Sequence, residues 1–70
     1  MRTEVLFNVE EADGGGYIAT AATEGIVTEA ESVADLHRQV RDAVACHYDA
    51  GEDRPRLIRL HFVRDEVLAA

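Results

Sequence analysis

The sequence predicts an α+β domain of order β-β-β-α-β, with a three-stranded antiparallel meander, a crossover helix on one face and a fourth strand. Three observations carry this. Three short runs of strand character precede residue 31, one amphipathic stretch of helical period follows, and a further alternating run begins near Arg56. With 70 residues the chain is one domain, residues 1–70, with 47% hydrophobic and 30% charged residues, a globular balance and not a disordered one.

Thr3 to Glu11 alternates, with Val5, Phe7 and Val9 on one face and Glu4, Leu6, Asn8 and Glu10 on the other. Asp13-Gly14-Gly15-Gly16 then supplies a turn, because glycine takes positive φ without steric cost. A phosphate cradle would need this loop to open a helix, whereas here a strand-like run follows. Tyr17 to Thr23 reads as the second strand and Ile26 to Ala30, after Glu24-Gly25, as a shorter third.

Ser32 offers an N-cap hydroxyl, and Asp35 places a negative charge in the first turn, where the helix dipole favours it. The helix is expected from Val33 for about 18 residues, with Gly51 ending it. Its buried stripe is Val33, Leu36, Val40, Ala43, Val44 and His47, while Asp35, Arg38, Asp42 and Asp49 face away. Glu52 to Pro55 is a connector. Arg56 to Val63 alternates again, with Ile58, Leu60 and Phe62 opposed to Leu57, Arg59 and His61. A helix of this length lets the last strand return parallel to an earlier one.

Fourteen acidic residues against seven Arg, with no Lys, give a net charge of −7, which disfavours nucleic acid, including direct DNA binding, and favours a basic protein partner. Cys46 is the only cysteine, so no internal disulfide forms and a reducing, cytoplasmic setting is expected; no run is long and apolar enough for a membrane. No cofactor or metal is expected. His37 and His47 lie about 80° apart around the helix at about 100° per residue, and no Cys-x-x-Cys or His-x-x-x-His pattern brings two ligands onto one face. His47 reads as a hydrogen-bonded residue at the helix–sheet boundary. The Cys46–His47 neighbours diverge by about 100° and make no dyad, leaving Cys46 as a half-buried, inert thiol. The chain therefore reads as non-enzymatic.

One helix covers only one face of a four-stranded sheet. The other carries Leu6, Asn8, Leu57, Arg59, His61 and Val63, a mixture of apolar and cationic groups suited to association. Leu6, Leu57, Arg59, His61 and Val63 are the candidate interface residues, with Val67 and Leu68 of the tail as clamps. A homodimer or higher homo-oligomer is expected from this face and from the thin stability margin of so short a chain.

Gly15-Gly16-Tyr17-Ile18-Ala19, Glu24-Gly25-Ile26-Val27-Thr28-Glu29-Ala30 and Ser32-Val33-Ala34-Asp35-Leu36 together resemble the HicB-like antitoxin family over about residues 3 to 50. The resemblance implies a truncated RNase H-like fold and a role in covering a small basic mRNA-cleaving toxin. The family's DNA-binding segment has no counterpart here, and Ala21-Ala22-Thr23-Glu24 stands where the family has cysteine and prolines. Two other readings stay open. One is an accessory subunit of a metabolic complex; the other is an enzyme or small-ligand carrier using His37, His47 or His61 around a pocket between protomers.

Overall fold

The computed structural model describes residues 4–48 and 54–70. Its elements are β1 (Glu4–Glu11), β2 (Tyr17–Ala21), β3 (Ile26–Ala30), α1 (Val33–His47) and β4 (Leu57–Val63). They form one four-stranded sheet in the order β3-β2-β1-β4, antiparallel between β1, β2 and β3 and parallel between β1 and β4. The expected α+β architecture and the parallel return of the last strand are both present.

Alternation on β1 buries Val5, Phe7 and Val9 almost completely. On the same side, β2 and β3 contribute Ala19, Ala21, Ile26 and Ala30. These small residues leave room for α1, whose Leu36, Val40 and Val44 close the core from above. The approach of α1 is closest over β3 and β2. Consequently Ile58 and Leu60, which pair with Val5 and Phe7, stay only half-buried. Phe62, beside Val9, is 48% exposed and meets the Tyr17 ring edge-on at 6.2 Å.

The β1–β2 turn closes with the Ala12 amide donating to Gly16 O at 3.0 Å and the Gly15 amide to Ala12 O at 3.1 Å. It joins two strands and opens no helix. β2 is shorter than expected, because the register sets Ala21 opposite Ile26 and leaves Ala22–Gly25 as the connecting loop.

At the helix start the sequence reading holds in detail. The Asp35 amide donates to Ser32 Oγ at 3.1 Å, and the Glu31 amide donates back to Asp35 Oδ2 at 3.4 Å. The second bond comes from the residue before the N-cap, so this is a variant of the reciprocal capping box with Asp in the usual place of Glu. The C-terminal end differs from expectation: α1 stops at His47, and Tyr48 is extended at φ −110° while its amide donates to Val44 O. Tyr48 turns its ring against the core, an apolar gain that a continued helix would forgo. The expected Gly51 stop and the Asp49 position lie outside the described residues.

Two stripe assignments and the expected burial of Cys46 need correction. Val33 is 41% exposed, since it precedes the turn that meets the sheet. His47 is exposed and stacks edge-on against Tyr48, with ring centroids 4.8 Å apart, instead of bonding at the helix–sheet boundary. Cys46 is exposed and not half-buried, because it sits two positions past Val44, on the far side of the helix.

Candidate interaction surface

The pleat fixes which side chains reach the uncovered face. Since Glu4 pairs with Leu57, Leu6 with Arg59, Asn8 with His61 and Glu10 with Val63, all eight project to the side away from α1. The β2 and β3 pairings add Ile18 and Thr20, then Val27 and Glu29. Leu6, Leu57 and Val63 are each between 41% and 61% exposed and Val27 is 65% exposed, so the apolar component spans the sheet from one edge to the other.

The cation in this face is neutralised within the chain. Arg59 Nε donates to Glu4 Oε2 at 2.8 Å and its NH2 group to Glu4 Oε1 at 3.2 Å, the two-pronged geometry that suits guanidinium and carboxylate. The hydrogen bonds from Arg59 hold the Glu4 carboxyl below its ordinary value, against a smaller opposing effect of desolvation. Those same bonds raise Arg59. A partner therefore meets a surface that is apolar and hydrogen-bonding, with His61 and Asn8 side by side near its centre and the carboxylates of Glu10 and Glu29 towards one end.

The residues after Val63 leave the body without regular structure, and Val67 is 93% and Leu68 79% exposed. The molecule is accordingly long, 51 Å on one axis against 20 and 17 Å on the others. All seven candidate interface residues are thus solvent-accessible, five on one sheet face and two on the projecting tail.

Two features escaped sequence reasoning. Topology places the ends of β1, β3 and β4, the start of β2 and the start of α1 at one end of the molecule. Glu10, Glu11, Asp13 and Asp65 gather on one side of the Gly14–Gly16 turn and Glu29, Glu31 and Asp35 on the other. Acids flanking turns hinted at this, but their convergence required the strand order. The second feature is a groove where α1 leaves β4 uncovered, about 150 Å³ between His37, Val40, Arg41, Ile58 and Leu60. It continues past Val44 and Ala45 towards Arg54, Pro55 and Arg56.

The histidines are not brought together. His37 lines this groove, His47 sits at the helix end, and His61 is on the opposite face of the sheet. Among the described residues no three metal-ligating side chains converge, and no described helix is long and apolar enough to cross a membrane.

Comparison with known proteins gives two relatives. A UPF0150 protein of Thermotoga maritima is 33% identical over 66 residues, covering 94% of this chain and 91% of the relative. A UPF0150 protein of Archaeoglobus fulgidus is 49% identical over 53 residues, covering 76% and 77% respectively. No family profile matches the chain. No solved structure matches it.

Proposed function

The chain belongs to the UPF0150 family, and from that premise we propose that it is a non-enzymatic, HicB-like binding module that pairs with a second copy and neutralises a small basic RNA-acting toxin. The observation that carries the reading is the uncovered sheet face, with Leu6, Leu57 and Val63 exposed beside an Arg59 already satisfied by Glu4. A purely solvated sheet face has little use for that much apolar surface, whereas a seated protein would remove it from water. The acidic end formed around the Gly14–Gly16 turn supports a basic partner, since seven of the chain's fourteen acidic residues line its two sides.

The test is to express the chain together with the product of its neighbouring reading frame and follow growth arrest and RNA cleavage. Relief of both by the wild-type chain is expected. The Leu6→Glu, Val63→Glu double variant should weaken binding at least about tenfold, because charge is placed within the apolar part of the contact. Arrest that persists with the wild-type chain in excess, or equal relief by the double variant, would overturn the reading.

A further inference from the structure

Every open sheet has two edges, each a row of unpaired amides and carbonyls that stable proteins shorten, charge or cover. Here the edges are unequal. β3 has five residues and lies beneath α1; β4 has seven and is left by the helix with Ile58 and Leu60 half-buried. β4 contains no proline, acid or lysine to block a further strand. Its sequence, Leu-Ile-Arg-Leu-His-Phe-Val, is also symmetric in chemical character about Leu60.

We infer that two copies join through the open edge of β4, antiparallel about Leu60, and that each C-terminal tail locks the joint by setting Glu66 against Arg54 of the other copy. The inference rests on the homodimer part of the function proposed above and specifies its geometry.

The register follows from the symmetry. Antiparallel pairing about Leu60 sets Leu57 opposite Val63 and Arg59 opposite His61 on the outer face, and Ile58 opposite Phe62 on the helix side. Apolar meets apolar at Leu57–Val63 and at Ile58–Phe62, Arg59 keeps its Glu4 partner where it faces His61 of the other copy, and Leu60 meets itself on the two-fold axis, as an isologous contact requires. The half-covered Ile58 and Phe62 would then cover each other, which removes the exposure that α1 leaves.

The same register continues into the tail. Glu66 of one copy arrives opposite Arg54 of the other, with Asp65 beside the Pro55–Arg56 step. Among the described residues Arg54 is held by a 3.4 Å bond to the Ala45 carbonyl and Glu66 by a 3.9 Å approach from Arg64. Both have charge to spend on a partner. A parallel pairing would instead bring tail against tail, carboxylates together.

The experiment is a charge exchange read by sedimentation at low salt. Each of Glu66→Arg and Arg54→Glu alone should weaken self-association about tenfold, since two like-charged contacts form per dimer. Mixing the two variants should restore wild-type association, because each contact in the mixed dimer again pairs opposite charges. Cross-linking fixes the strand register: with Cys46→Ser as background, a Leu57→Cys chain mixed with a Val63→Cys chain should form a disulfide on mild oxidation, and neither chain alone should do so. A wild-type dimer that both charge variants leave intact, or weakening that mixing does not repair, would overturn this geometry while leaving a dimer through the sheet face. A wild-type chain that stays monomeric at millimolar concentration would overturn the homodimer itself.

Discussion

Alanine at Gly14 and at Gly16 separates the cost of backbone conformation from the cost of collision. Both glycines have positive φ, 84° and 86°, which L side chains rarely adopt. At Gly14 an added Cβ meets nothing within 4 Å; at Gly16 it falls 2.8 Å from the Ala30 carbonyl oxygen. Conformation alone costs about 1–2 kcal/mol, offset by about 0.4–1 kcal/mol because alanine restricts the unfolded chain. Gly14→Ala should therefore lose about 1 kcal/mol, equivalent to a Tm drop of about 4–8 °C in a domain this size. Gly16→Ala must in addition push back a buried backbone carbonyl whose residue pairs with Tyr17 in the β2–β3 ladder. Moving it strains that ladder or the Ala12–Gly16 turn bond, for a total of about 3 kcal/mol and a Tm drop of about 12–24 °C. A chain of 70 residues has about 4–10 kcal/mol in total, so this is a large share. The assay is thermal unfolding by circular dichroism at one fixed protein concentration, since association raises apparent stability. Equal losses for the two variants would refute the claim that turn and third strand are in contact at Gly16.

Leu36→Ala, at the fully buried centre of the α1 stripe, should cost about 2–5 kcal/mol in denaturant unfolding, whereas Cys46→Ser on the exposed side should fall within about 0.5 kcal/mol of wild type. Similar values for both would mean that α1 is rotated. Because Arg59 lowers the folded-state pKa of Glu4, that pair contributes stability above the carboxyl's unfolded value and loses it as pH falls through the lowered one. Arg59→Met should raise the Glu4 midpoint seen by NMR titration; an unchanged midpoint would sink the assignment.

Local signals located most of the fold. The period-two runs marked β1, β3 and β4, and the Ser32/Asp35 pair marked the first turn of α1, since these depend on near neighbours in sequence. Two boundaries were set by distant contacts. β2 stops at Ala21 because β3 enforces the register, and α1 stops at His47 because Tyr48 finds the core. The uncovered face was legible from alternation alone. The acidic end and the groove beside β4 were not, because both depend on where α1 crosses the sheet and on which strand takes the edge.

The parallel ladder between β1 and β4 also dictates an order of assembly. Meander and helix can associate from neighbouring stretches of chain, but β4 reaches β1 only by closing a loop that contains everything between them. Until it does, β1 shows a bare edge flanked by the Val5, Phe7 and Val9 row. Any extended apolar segment could occupy that edge, so the moment before the final strand docks is when a crowded, newly made chain is most exposed to aggregation.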